Sequence, residues 1–273
     1  MELVRSPVLL IRSRQLGPFM SNNFNQAAHA LRGNGLDRLA ARGHPILACY
    51  FPLGDPVFAN GIDAIYRSAG VDLFELGLPS ADPYMDGADV AGAMRRALAS
   101  GIDPYARLAD MAAWLADEPD GPAGVCMAYA DLDLSRIAGW PGLDGMLIVG
   151  TPPGAFPPGV RTCGLLKLDF TDEDLAAAAA WDGYVMVQAA AGVTGPRDRL
   201  DPRLADTIAA ARRAGVSRPI LAGFGIGASD QARAAVDAGA DGAVIGSMCV
   251  RKAMQGPDEI ARFLDRVRSA LDG

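Results

Sequence analysis

Histidine is nearly absent from this chain: His29 and His44 are the only two among 273 residues. Two imidazoles near the N-terminus cannot build a His-based metal site or a His-dependent triad, and no His-Glu-x-x-His motif occurs. Cysteine is also sparse. Cys49, Cys126, Cys163 and Cys249 are widely spaced, with no Cys-x-x-Cys pair, and the first three fall in apolar runs. They read as buried reduced thiols rather than a disulfide framework. No basic cluster is visible, and 25 Lys and Arg against 32 Asp and Glu leave a net charge of −7. That balance argues against nucleic acid or an anionic membrane surface as the main partner. The opening apolar run Val8-Leu-Leu-Ile11 is too short for a secretory signal, and no run approaches a membrane span. The chain reads as cytosolic. A phosphate ligand stays open, because backbone N–H groups and helix N-termini bind anions without net positive charge.

What the chain has is 50% hydrophobic content and a recurring local pattern. Ala69-Gly-Val-Asp precedes an apolar run ending at Gly77, and Gly142-Leu-Asp one ending at Gly150. Ala214-Gly-Val-Ser and Ala238-Gly-Ala-Asp lead into runs ending at Gly223 and Gly246. Where an Ala-rich amphipathic segment comes first, the Gly suits the left-handed position after a helix, and a buried parallel strand follows. Eight strands are expected: Pro45–Phe51, Asp72–Leu76, Gly124–Ala128, Gly145–Val149, Cys163–Leu168, Gly183–Gln188, Pro219–Ala222 and Gly242–Ile245. Helical segments are expected over Val57–Ala69, Ala88–Ala99, Pro104–Ala116, Thr171–Ala180, Pro202–Ala214, Ser229–Ala238 and Pro257–Leu271, with cap signals at Thr171 and Ser229.

This alternation predicts a (β/α)8 barrel over residues 35–273. A doubly wound sheet is the alternative, but Gly-x-Gly-x-x-Gly is missing after the first strand. Asp131–Asp144 leaves room only for a short helix. Four prolines in Thr151–Gly159 forbid a regular helix, so one outer helix is expected to be missing between strands four and five. Gly35–Arg42 is expected to plug the bottom of the barrel. Residues 1–34 are expected to form a loosely ordered N-terminal extension, in which Met20 offers an alternative start.

Three stations fall on the C-terminal rim, where barrel enzymes keep their chemistry. The first is Leu73-Phe-Glu-Leu-Gly-Leu-Pro-Ser-Ala-Asp-Pro-Tyr-Met-Asp-Gly87. Glu75 is an acid inside an apolar strand, costly unless its charge is paired, neutralised or used, and Asp82 and Asp86 follow in the loop. A structural carboxylate holding the loop through backbone N–H groups is the plainer reading of Glu75. The second station, Ala191-Gly-Val-Thr-Gly-Pro-Arg197, has the small Gly-flanked composition of a mobile lid, with a hydroxyl at Thr194. The third pairs Gly223-Phe-Gly-Ile-Gly227 with Gly246-Ser247, in the order of the phosphate-binding loops after strands seven and eight.

These segments, with Leu53-Gly-Asp-Pro56, resemble the tryptophan synthase α subunits and related indole-3-glycerol-phosphate lyases, in the family's order over about residues 35–270. The resemblance implies cleavage of indole-3-glycerol phosphate to indole and glyceraldehyde 3-phosphate, with no metal or organic cofactor. It also implies a tryptophan synthase β-like subunit as a candidate partner. By position Glu75 resembles the proton shuttle, Asp86 the carboxylate that holds the indole N–H, and Thr194 the lid threonine that orients it. Gly195, Gly225, Gly246 and Ser247 match phosphate ligands, and Tyr50, Met127, Tyr129, Met186 and Phe224 fall at substrate-binding positions. The departures lie in the indole pocket and the partner surface. Tyr50 stands where Phe is usual, Met127 for Leu, Met186 for Tyr, Ala190 for Arg, Asp131 for Asn and Gly150 for Asp. A wider pocket or a substituted ring is one reading, and neutral drift in packing is the other. Two further functions stay open: a low-activity regulatory partner of a pyridoxal-phosphate β subunit, and an acid–base phosphosugar isomerase on the same barrel.

Overall fold

The computed structural model describes residues 33–59, 61–118, 120–137, 140–150 and 160–273. Apolar runs bounded by glycine and aspartate become eight parallel strands: β1 (Ile46–Pro52), β2 (Leu73–Gly77), β3 (Ala123–Tyr129), β4 (Gly145–Val149), β5 (Arg161–Leu166), β6 (Val185–Gln188), β7 (Ile220–Gly223) and β8 (Gly242–Ile245). They close into a barrel in chain order, with β1 hydrogen-bonded to both β2 and β8. This is the expected (β/α)8 architecture. The Pro-rich link, where the sequence predicts a missing helix, lies at 151–159, outside the described residues. So do Met20 and the extension through residue 32.

The helices are α1 (Gly35–Ala40), α2 (Ile62–Ser68), α3 (Ala88–Ala99), α4 (Pro104–Ala116), α5 (Asp172–Ala180), α6 (Leu204–Arg213), α7 (Ser229–Asp237), α8 (Ser247–Gln255) and α9 (Pro257–Asp272). The helix expected over 57–69 is divided. Pro56–Phe58 makes a single 3-10 turn, and Gly61, at φ +78°, breaks the path before α2 begins. Among the described residues between β3 and β4, a 3-10 turn forms at Leu134–Arg136. Thr171 closes a capping box with Asp174 at the start of α5, as its sequence indicates. Ser229 does not cap. It is the first residue of α7, and Gln231 Oε1 instead accepts the N–H groups of Gly227 and Ala228 at 2.7 and 3.1 Å. Helix α8, which starts directly after Gly246, is absent from the segments expected by pattern.

Alternation along each strand separates two cores. Ala48, Leu73, Val125, Leu147, Cys163, Tyr184, Leu221 and Val244 fill the barrel interior. Phe51, Phe74, Cys126 and Val187 face outward into the larger shell beneath the helices. All four cysteines are buried and free. Leu36 and Leu39 of α1 join the interior cluster, so the short helix does plug the bottom of the barrel. The same end carries a carboxylate before each even-numbered strand, accepting an N–H from the odd strand beside it. Asp72 accepts from Leu47 (2.9 Å), Asp144 from Gly124 (2.9 Å), Asp182 from Thr162 (2.7 Å) and Asp241 from Ile220 (2.7 Å). Three of these four aspartates, Asp72, Asp144 and Asp241, belong to the Gly-x-Asp repeat, which is therefore a strand-to-strand stitch as well as a turn. No helix among the described residues is long and apolar enough to cross a membrane.

Candidate active site

Glu75 is the middle residue of β2, and its side chain follows Leu73 into the barrel interior, where it is 2% exposed. The Tyr184 hydroxyl, just before β6, donates to Glu75 Oε1. Burial pushes the Glu75 carboxyl up to about 7, with nearby Asp86 adding to the rise and the Tyr184 hydrogen bond opposing it. Asp86 sits at the end of the following loop. It accepts from the Tyr129 hydroxyl at 2.6 Å and from Thr194 Oγ1 at 3.0 Å. Burial raises its pKa as well, against the pull of those two hydroxyls. No cation contributes to either displacement. Among the described residues, the side-chain hydrogen bonds to both carboxylates come from hydroxyl groups.

The lid segment is docked on the β2 loop. Thr194 N–H donates to the Met85 carbonyl at 3.1 Å, and Gly87 N–H donates to Thr194 Oγ1 at 2.9 Å. A Cβ on Gly87 would overlap the Thr194 carbonyl oxygen, so this approach requires glycine. Gln188, buried at the end of β6, holds the lid from below through the Gly192 carbonyl at 3.1 Å. Its far end is tied to the β7 loop, where Arg197 N–H donates to the Gly225 carbonyl at 3.0 Å. Within that loop Phe224 adopts φ +64°, a strained conformation for a bulky residue, of a kind that costs on the order of 1–3 kcal/mol. Ser247 opens α8, and its buried hydroxyl has no hydrogen-bond partner among the described residues. The free N–H groups of a helix first turn lie beside it.

One cavity gathers the catalytic and substrate-binding candidates: Glu75 and Asp86, Tyr50, Met127, Tyr129 and Met186, Thr194 and Gly195, Phe224 and Gly225, and Gly246 with Ser247. Its free volume is about 60 Å³. A cavity of about 150 Å³ is what takes up a benzene ring elsewhere, so an indole enters only if the lid or the side-chain walls move. Methionine suits such walls, and Met85, Met94, Met127 and Met186 all line the space. Asp82 is exposed and outside it. Asp55, from the matching Leu53-Gly-Asp-Pro56 segment, is a structural clamp: it accepts Arg96 Nε and Nη2 at 3.0 and 2.6 Å, joining the β1 loop to α3. Asp131 is exposed and accepts from Ser80 Oγ at 3.3 Å. Among the described residues no group of three or more His, Cys, Asp and Glu side chains is placed to hold a metal ion.

Sequence reasoning missed Tyr184 and the apolar wall of Leu78, Val90, Val149, Ile226 and Val244. A signal for Tyr184 existed. It lies two residues before Met186, hence on the same inward face.

A closed barrel with two hydroxyl-bonded carboxylates, a docked lid and a glycine cradle on one rim defines an acid–base barrel enzyme. The chain belongs to the tryptophan synthase alpha chain family, whose profile matches residues 36–271. Curated relatives agree. The tryptophan synthase alpha chain of Burkholderia mallei is 33% identical over 264 residues, covering 88% of this chain and 96% of the relative. That of Natronomonas pharaonis is 32% identical over 259 residues, covering 83% and 91%. Among solved structures, a Mycobacterium tuberculosis tryptophan synthase chain superposes with a TM-score of 0.73 at 23% identity, covering 89% of this chain and 98% of that one, a likeness of fold. The family assignment does not favour the phosphosugar-isomerase alternative.

Proposed function

We infer that this chain is a carbon–carbon lyase that cleaves indole-3-glycerol phosphate into indole and glyceraldehyde 3-phosphate, with Glu75 and Asp86 as its catalytic groups. The observation that carries this reading is the Glu75 carboxyl, buried, facing the cavity and titrating at about 7. Near neutrality it can both give and take a proton, help typically worth about 10²–10⁴-fold. Protonation of the indole at C3 makes the ring a cationic indolenine. Removal of the side-chain hydroxyl proton then lets that oxygen become the aldehyde as the bond to C3 breaks and its electron pair returns to the ring. Glu75 ends the cycle in the protonation state in which it began. Asp86, oriented by Tyr129 and Thr194, accepts the indole N–H and balances the ring charge.

Phosphate is received by backbone N–H groups of the Gly225 and Gly246 turns and by the Ser247 hydroxyl at the start of α8. Met127, Met186 and Phe224 enclose the ring. Residues 35–273 act as one catalytic unit in a cytoplasmic setting, and a β-like subunit is the partner to test. The exposed Asp131 carboxylate adds charge to the rim, so a β subunit chosen without a matching cation is expected to raise turnover little. Indole release from indole-3-glycerol phosphate by the isolated chain, with and without such a β subunit, tests the assignment. No indole in either arm would reject it. A large rate increase with tight binding would reject the weak-partner expectation alone.

A further inference from the structure

The hydroxyl of Tyr50 is buried in the cavity wall and hydrogen-bonds to nothing among the described residues. Its position is tightly defined. The Tyr66 hydroxyl anchors the Tyr50 carbonyl at 2.8 Å. The ring lies over Gly77, where an added Cβ would overlap both ring carbons and the hydroxyl oxygen. Glu75 is the register partner of Tyr50 on the neighbouring strand, two residues below Gly77. The hydroxyl therefore stands between the level of Glu75 and the loop carrying Asp86, near both carboxylates and bonded to neither. Burial and the surrounding acids hold its pKa well above the ordinary tyrosine value, so it stays a neutral group able to donate and accept. An unsatisfied polar group at a buried site is unfavourable, and a ligand that completes it gains accordingly.

Resting on the lyase reading above, we propose that Tyr50 selects a substrate whose indole ring carries a second hydrogen-bonding group, of which a ring hydroxyl is the simplest form. Unsubstituted indole has one polar ring atom, the N–H, and Asp86 takes it. The glycerol phosphate runs the other way, toward the Gly225 and Gly246 turns. That leaves the benzo ring beside an otherwise apolar wall of methionine and aliphatic side chains, with the Tyr50 hydroxyl as its unclaimed polar contact. The unbranched methionines Met94, Met127 and Met186 give room for the extra atom.

The test compares indole-3-glycerol phosphates hydroxylated at each benzo-ring position with the unsubstituted compound, for the full chain and for Tyr50→Phe. The parent protein is expected to favour at least one hydroxylated substrate by about tenfold or more in kcat/KM, and Tyr50→Phe to bring that ratio toward one. Because the hydroxyl has no partner among the described residues, the Tm of Tyr50→Phe should equal or exceed the parent's. A fall in Tm, an unchanged ratio, or no preference in the parent overturns the proposal. Calorimetry with free indole and hydroxyindoles separates this inference from the lyase reading. Preferential hydroxyindole binding that Tyr50→Phe abolishes, with no phosphate ester cleaved, would sink the reaction and keep the selectivity. Normal turnover without preference would do the reverse.

Discussion

Both ends of the barrel hold buried carboxylates, but the donors around them differ in kind. At the bottom, Asp144 accepts the N–H groups of Gly35 and Gly124 at 2.7 and 2.9 Å. Asp72 meets the Leu47 N–H and the guanidinium groups of Arg42 and Arg268, and the partly exposed Asp241 meets the Ile220 N–H and Arg212. On the rim, Glu75 and Asp86 meet, among the described residues, the hydroxyls of Tyr184, Tyr129 and Thr194. Backbone N–H and guanidinium groups can only donate, so they lock an anion in place. A hydroxyl can reverse its role, and so tolerates a carboxyl that gains and loses a proton. The same residue types thus fasten strands at one end and stay available for chemistry at the other.

The largest test of that contrast is Glu75→Gln. Turnover, read as indole release, should fall by about 10²–10⁴-fold while the fold persists. Its stability should also respond to pH in a defined direction. The native Glu75 carboxyl keeps its proton up to about 7, whereas an exposed glutamate releases it near 4.5. Over that interval the native state binds more protons, so parental stability falls as pH rises from about 4.5 to about 7, by about 1.4 kcal/mol for each pH unit crossed. Glu75→Gln removes this contribution. Urea denaturation at a series of pH values measures it, and a parallel decline in both proteins would show that Glu75 is not the group responsible.

Asp144→Ala should do the opposite. Orphaning two buried N–H groups costs on the order of 2–4 kcal/mol of stability, with kcat of the folded fraction unchanged. An intact Tm, or a lowered kcat, would erase the distinction between the two ends. Asp86→Asn comes next. An amide still touches the indole N–H but cannot balance ring charge, so kcat should fall by about tenfold to a hundredfold with little change in KM. A change confined to KM would make Asp86 a binding group only. The smallest effect belongs to Tyr184→Phe. Loss of its hydrogen bond removes an influence that lowers the Glu75 pKa, so the Glu75 limb of the pH–rate profile should move alkaline by about one pH unit or less. An acid displacement would mean the hydroxyl stabilises the protonated carboxyl instead.

Much of this is legible in the chain itself because it depends on neighbours in sequence. Apolar runs buried on both faces mark the strands, and glycines after Ala-rich helices mark their starts; Gly70, Gly215 and Gly239 all take the left-handed conformation expected there. An acid inside such a run exposes Glu75, and glycine spacing marks the Thr194 segment and the proposed phosphate cradle. Where a local signal misleads, the cause is local too: Gly61 splits one helix, and α8 follows Gly246 without a turn.

Tertiary structure alone decided which donors each carboxylate meets. Tyr184 is 109 residues from Glu75 in sequence, and Thr194 is 108 from Asp86, so closure of the barrel is what brings each pair into contact. It made stitches of the aspartates before the even-numbered strands, a clamp of Asp55, and left the hydroxyl of Tyr50 without a partner among the described residues. Secondary structure follows from spacing along the chain, whereas desolvation, pKa and an unclaimed hydrogen bond follow from what the folded barrel places around a side chain.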